Sequence, residues 1–260
     1  MLRRLEDGIL TITLNRPESL NAINGELTRQ LADAIATAAA DTAVKVVVLT
    51  GAGAAFCAGG DMRSLDAPRK PAVAGRPDGA PLARIAGDLA GRLHRMAKPT
   101  IAMIRGPVAG GGLALALACD MRVASERSKY TFAYTKIGLA GDFGAAYFTY
   151  KVLGHVRARE FCLLCPRLDA LEALQIGLVN RVVADTALEA ETYALARTLA
   201  LGPPLAYAAV KENLDAAADL AMDEAFAREA QSFMDLRETR DHKRSVRAFI
   251  EKQAPHYTGE

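Results

Sequence analysis

The chain has 260 residues, 51% hydrophobic and 24% charged, a balance typical of a globular protein with one large core. A formal net charge of +2 gives no case for a basic nucleic-acid-binding face, and no uncharged apolar run reaches the ~18 residues needed to span a membrane. The N-terminus, Met1 to Glu6, lacks the apolar stretch of a secretory signal, and cysteines at 57, 119, 162 and 165 make no disulfide framework, so a cytoplasmic location is expected.

In chain order, Gly8 to Leu14 alternates and is rich in β-branched residues, which predicts a strand ended by Asn15-Arg16-Pro17-Glu18. Gly25 to Ala40 reads as a helix, with Leu27, Leu31, Ala34, Ile35 and Ala38 at three- and four-residue spacing. Val44 to Thr50 is a short run, wholly apolar after Lys45, that fits a strand buried on both faces. Strand, helix, strand implies a right-handed α/β crossover. Residues 66–83 carry four prolines and read as a loop or lid. A helix is expected from Arg84 to Met96, then a buried strand at Thr100 to Ile104. Gly106 to Cys119 joins a glycine cluster to an Ala/Leu helix. Strands near Asp120 to Ala124 and Lys129 to Ala133 precede a glycine-rich loop at 138–144. The pattern turns helical from about Leu168, and a last helical segment follows Gly202-Pro203-Pro204. Cys162-Leu163-Leu164-Cys165 lies in an apolar stretch without a second pair, so both cysteines are expected as buried helix residues and no metal site is expected.

Two segments share the layout of buried strand, small-residue turn and helix: Val46 to Asp61, through Gly51-Ala52-Gly53 and Ala58-Gly59-Gly60, and Ile101 to Ala114, through Gly110-Gly111-Gly112. Glycine lets a backbone approach a ligand closely, and a helix starting there offers unpaired N–H groups to negative charge. Tight packing turns account for the same glycines equally well. A dinucleotide fingerprint does not, because Phe56 stands where its third glycine belongs. No G-x-S-x-G occurs, and Asp142-Phe143-Gly144 lacks the other parts of a kinase.

Taken in order, the motifs resemble the enoyl-CoA hydratase/isomerase (crotonase) superfamily. They are Asn15-Arg16-Pro17-Glu18-Ser19-Leu20-Asn21-Ala22, Phe56-Cys57-Ala58-Gly59-Gly60-Asp61, Lys98-Pro99, Gly106-x-x-Ala109-Gly110-Gly111-Gly112, Ala118-Cys119-Asp120 and Gly177-Leu178-Val179-Asn180-Arg181-Val182-Val183. The resemblance implies an α/β, crotonase-like spiral of ββα units over 1–200 and a C-terminal helical oligomerisation lobe over 201–260. It implies that the N–H groups of Ala58 and Gly111 form an oxyanion hole for a thioester enolate.

A hydratase of this kind needs two glutamates, and this chain has Ala114 and Tyr134 at their positions. Asp142 matches the aspartate of the family's phenylacetate-pathway isomerases and of its 4-chlorobenzoyl-CoA dehalogenase. One carboxylate suffices to move a proton between two carbons, which favours double-bond isomerisation with Asp142 as acid and base. Asp142 also suits a helix N-cap. The dehalogenase reading wants a histidine before Lys98-Pro99, where His94 lies about one turn out of place. Tyr134 fits either a pocket-lining ring or a core tyrosine. A non-catalytic relative would keep the turns and lose the carboxylate's role.

For coenzyme A, brought by the substrate and not a resident cofactor, the resemblance points to Ala22 and the backbone of Ala58, Gly60, Asp61 and Met62. Arg16 and Arg63 would meet phosphates, or serve as solvated surface charges. Phe249 and Lys252 would close over the nucleotide, often from a neighbouring subunit of a homotrimer or dimer of trimers. The expected partner is an acyl-CoA, with no nucleic acid or membrane.

Overall fold

A computed structural model describes residues 1–63 and 88–260. The proline-rich 66–83 segment lies outside these, as does the start of the helix expected from Arg84; its described part, α2, covers 88–94. The large sheet has the order β1 (Leu2–Glu6), β2 (Ile9–Leu14), β3 (Val46–Gly51), β4 (Thr100–Ile104), β6 (Met121–Ser125), β9 (Arg181–Val183). β1 and β2 pair antiparallel, and every other pairing is parallel.

Parallel strands covered on both faces become continuous apolar runs, and Val46, Val47, Val48 and Leu49 are all fully buried. Alternate residues serve opposite faces. Ile9, Val46, Val48, Ile101, Met103 and Val123 pack on Leu188, Ala196 and Ala200 of α6 (Leu188–Ala200). Leu10, Ile12, Val47, Leu49, Ala102 and Ile104 join the main core with α1 (Gly25–Ala40) and α3 (Gly111–Ala118). α1 has the predicted bounds and buried face. Its start is capped by Asn24, whose Oδ1 accepts from the Leu27 N–H at 2.8 Å. Its C-terminal carbonyls are met by Lys98, whose Nζ donates to Ala38 O at 2.6 Å and Asp41 O at 2.5 Å.

After β4 and after β6 the chain adds a short strand to a second sheet, β5 (Pro107–Ala109), β7 (Lys129–Thr131) and β8 (Leu168–Asp169). Single bridges, Cys57 to Val108 and Ile23 to Gly60, carry the same side-by-side stacking into the earlier turns. The chain is therefore a spiral of strand, strand, helix units whose glycine-rich turns lie next to one another.

Asn21 ties these turns together. It is fully buried with φ 57°, a region asparagine tolerates. Its Nδ2 donates to Ala52 O at 2.9 Å and Ala55 O at 2.8 Å, while its Oδ1 accepts from the Arg16 N–H at 2.9 Å. Asn21→Ala strands these buried groups, and a stability loss of about 2–3 kcal/mol is expected by urea denaturation. A loss indistinguishable from zero would mean that water replaces the amide.

The helix that follows the 138–144 loop begins at Ala145 and runs to Leu164 (α4), broken at Gly154 with φ 71°, ψ 175°. Cys162 is half-buried in α4, whereas buried Cys165 ends it in the left-handed region at φ 50°. The two are thus not equivalent helix cysteines. After α5 (Ala170–Gln175), β9 and α6, three helices follow: α7 (Pro204–Ala217), α8 (Met222–Arg237) and α9 (Arg240–Ile250). α7 and α8 contain no buried residue, and α9 contains one, Asp241. Phe226 and Phe233 stay 61% exposed and Phe249 84%. Ion pairs join this segment to the core, Lys211 to Asp120 (2.8 Å) and Lys151 to Asp219 (2.7 Å), and His94 Nε2 lies 3.0 Å from Asp215 Oδ1. Among the described residues no helix is long and apolar enough to cross a membrane.

Candidate active site

The site forms where three spiral turns touch. Cys57 is stitched to β5, its N–H donating to Pro107 O at 3.2 Å and its carbonyl accepting from the Ala109 N–H at 3.0 Å. The next residues turn toward the 20–23 segment. Ala58 N–H donates to Leu20 O at 3.0 Å, Ile23 N–H to Gly59 O at 2.7 Å, and Asp61 N–H to Ile23 O at 2.9 Å. The Ala58 N–H, expected in an oxyanion hole, thus has a backbone acceptor within the fold. In the Ile23–Gly60 parallel bridge the hydrogen bonds run from Ile23 to Gly59 and Asp61, so the Gly60 N–H faces the other way. Among the described residues it has no partner.

Across from it lies the start of α3. Gly110 has φ 51°, ψ −123°, a conformation open to glycine alone in practice. The first intrahelical bond runs from Ala114 N–H to Gly110 O at 3.1 Å, which leaves the Gly111 N–H among the unpaired donors of the first turn. A Cβ on Gly59 would lie 2.9 Å from Ala109 O, and one on Gly112 2.4 Å from Cys57 O. The two turns are thus in backbone contact, with the Gly60 N–H unpaired in one and the Gly111 N–H among the first-turn donors of the other. α3 is buried along its whole length, so its positive end reinforces Gly111 with little water to screen it.

Tyr134 and the 138–144 loop bring the carboxylate. The Tyr134 ring lies 3.7 Å from where a Gly110 Cβ would be, and the Phe143 ring 3.2 Å from the equivalent point on Gly111. Asp142 Oδ1 accepts a hydrogen bond from the Tyr134 hydroxyl. The helix N-cap reading of Asp142 is not realised, because α4 begins after Gly144 with no side-chain cap. Burial raises the Asp142 carboxyl above the ordinary aspartate range, and the Tyr134 hydrogen bond pulls it partly back. Tyr134 is itself raised, by burial first and then by bonding to Asp142, so it stays a neutral donor. Asp142 nonetheless retains access to solvent.

Ala114, at the position of a water-activating glutamate, is fully buried in α3. His94 meets Asp215 of α7 and packs edge-on to Phe148 of α4 at 5.2 Å, so its imidazole is engaged by these two helices. Arg16 forms a clamp: Nη1 donates to Ala22 O at 2.6 Å and Nη2 to Asp61 Oδ2 at 3.0 Å. Asp61 Oδ1 also accepts from the Arg63 N–H at 3.2 Å. Arg16 and Asp61 thus hold the loops together, while Met62 and the Arg63 side chain face solvent. Lys252, with φ 57°, and Phe249 lie exposed at the end of α9. That the Gly60 N–H is left unpaired was not legible in the sequence, because only the pairing of its neighbours reveals which N–H is left over.

This layout is that of a crotonase-type acyl-CoA enzyme. The sequence profile of the enoyl-CoA hydratase/isomerase family matches residues 4–260. The chain is 35% identical to 1,2-epoxyphenylacetyl-CoA isomerase from Escherichia coli K12, over 100% of this chain and 98% of that one. It is 33% identical to 4-chlorobenzoyl coenzyme A dehalogenase-1 from Arthrobacter sp, over 87% and 81%. The crystal structure of an enoyl-CoA hydratase from Polaromonas sp. JS666 superposes with a TM-score of 0.91 at 30% identity, covering 98% of each chain. The chain therefore belongs to the enoyl-CoA hydratase/isomerase family and has its crotonase fold.

Proposed function

We propose that the protein is an enoyl-CoA isomerase that shifts a double bond through a thioester enolate, with Asp142 as its acid and base. The observation that carries this reading is the pairing of Asp142 with Tyr134 beside the Gly110–Gly111 turn, with Ala114 standing where a second carboxylate would be. The Asp142 carboxylate takes a proton from the carbon next to the thioester. Negative charge moves onto the thioester oxygen, where the Gly60 and Gly111 N–H groups stabilise it by about 10²–10³-fold in rate per donor. The same carboxylate returns the proton two carbons further along, so no water and no second acid take part. The cofactor-free character follows: coenzyme A enters and leaves as part of the substrate.

For the nucleotide half, Ala22 and the backbone of 58–62 meet the coenzyme, and the solvent-facing Arg63, rather than the clamped Arg16, meets its phosphates. The C-terminal segment from residue 201 serves as an oligomerisation lobe. Its uncovered Phe226, Phe233 and Phe249 suit a homotrimer or dimer of trimers in which Phe249 and Lys252 reach a neighbour's site. The protein acts in the cytoplasm.

The test supplies a 3-enoyl-CoA and, separately, a 2-enoyl-CoA. Double-bond migration without mass change supports the isomerase, whereas a gain of one water from the 2-enoyl substrate overturns it. A 1,2-epoxyphenylacetyl-CoA belongs in the same assay because of the isomerase relative.

The pH profile gives a second expectation. Asp142 works as a base when deprotonated, so kcat/KM falls on the acid side as pH drops through its raised pKa, above the usual aspartate range. The Tyr134 hydrogen bond lowers that pKa, so Tyr134→Phe moves the acidic limb to higher pH. An unmoved limb would show that Tyr134 does not tune the reacting group.

A further inference from the structure

Tyr134 stands on an unusual piece of backbone. Ala133, just before it, has φ 65°, ψ −34°, a region in which non-glycine residues are rare. The Tyr134 N–H donates to Phe132 O at 2.9 Å, closing a three-residue γ-turn of the strained positive-φ kind around Ala133. In this turn the Ala133 N–H points away from the local chain, and its partner comes from 32 residues further on: it donates to Cys165 Sγ at 3.0 Å. The sulfur also meets Thr131 Oγ1 at 3.4 Å and is aimed by the left-handed φ of 50° at which α4 ends; Cys165 as a residue is 2% exposed. One face of the Tyr134 ring is fixed by Phe132, edge-on at 5.1 Å, and its hydroxyl meets Asp142.

From this geometry we infer that Cys165 is a positioning residue: its sulfur holds the Ala133 turn and thereby sets the Tyr134 hydroxyl against Asp142. The inference rests on the reading of Asp142 as the reacting carboxylate. A merely space-filling cysteine needs no backbone donor aimed at its sulfur. The surroundings of that sulfur agree: burial raises the thiol, but hydrogen bonds from Thr131, Thr135 and the Ala133 N–H together outweigh it. Cys57, the other titratable group acting on Tyr134, is pushed up to about 12 by burial and stays neutral.

The experiment compares Cys165→Ala, Cys165→Gly and Cys165→Ser in the full-length protein. Alanine and glycine remove the acceptor, and glycine also accepts the left-handed backbone without strain. Serine retains an acceptor. The expected result for the first two is a fall of about 10- to 100-fold in kcat/KM and an acidic limb moved to higher pH, as for Tyr134→Phe, with both effects largely reversed in Cys165→Ser. If an acceptor-free variant folds with an unmoved limb and unchanged kcat/KM and its Tyr134 hydroxyl still lies on Asp142, or if serine fails to restore a lost kcat/KM and limb, the inference is overturned. Crystal structures of the variants separate this from the underlying reading. A Tyr134 hydroxyl still on Asp142 in Cys165→Ala overturns the positioning role whatever the kinetics. A displaced hydroxyl with unaltered turnover supports the positioning role and instead overturns the role of the Asp142–Tyr134 pair in catalysis.

Discussion

Asp142→Asn is expected to lower kcat by about 10³-fold or more while leaving the dissociation constant of a coenzyme A thioester within a few-fold of the wild type. The magnitude is that of a proton-transfer catalyst acting at both the removal and the return of the proton. The amide is isosteric and its carbonyl still accepts from Tyr134, so the local geometry at Asp142 Oδ1 survives. What disappears is the charge and the capacity to carry a proton. Tight binding without turnover, measured by calorimetry and by the 3-enoyl-CoA assay, would match the mechanism. Turnover near the wild-type rate would remove Asp142 from it.

Gly112→Ala is expected to damage fold and chemistry together. Its new Cβ would lie 2.4 Å from Cys57 O and 2.6 Å from Cys57 Cβ, and the nearest of these is backbone that cannot rotate away. Relief requires α3 and the 57–60 segment to separate, at a cost of about 2–3 kcal/mol for an overpacked core. The same separation pulls the Gly60 and Gly111 N–H groups out of register. A loss of about 10²-fold in kcat/KM is expected in protein that still folds. The melting temperature and kcat/KM read the two effects separately. Stability falling while kcat/KM holds would place the oxyanion donors elsewhere.

How much of this was legible before folding depends on where each signal resides. The α1 bounds and its buried face followed from spacing alone, because Leu27, Leu31 and Ile35 recur at helical period behind a capping Asn24. The strands β3 and β4 followed from unbroken apolar runs, since a parallel strand covered on both faces has no polar side to disguise it. β1 escaped, because Leu2–Glu6 is exposed along its length and carries Arg3, Arg4 and Glu6. Its partner β2, not its composition, makes it a strand. β8 and β9 escaped for their brevity, two and three residues each.

The site divides in the same way. Asp142 and Tyr134 were legible as residues, one as the single carboxylate in a glycine-rich loop and the other as the residue in place of a glutamate. That the two bond to each other was not, since Tyr134 served equally as a core residue and Asp142 as a cap. Arg16 shows the limit from the other side: an arginine in the right motif looked available to a phosphate, and the folded chain uses it to bind Asp61 and Ala22.

The sequence by itself determined the family, the spiral of buried strands, the glycine turns and the loss of the two-glutamate pattern, because these depend on residue type and order. The tertiary structure decided which donors stay free, with Ala58 spent on Leu20 and Gly60 left over, and which side chains meet, with Cys165 reaching Ala133 and Tyr134 reaching Asp142. Hydrogen-bond pairing across distant turns is set by register and backbone direction, and neither is encoded in any one residue.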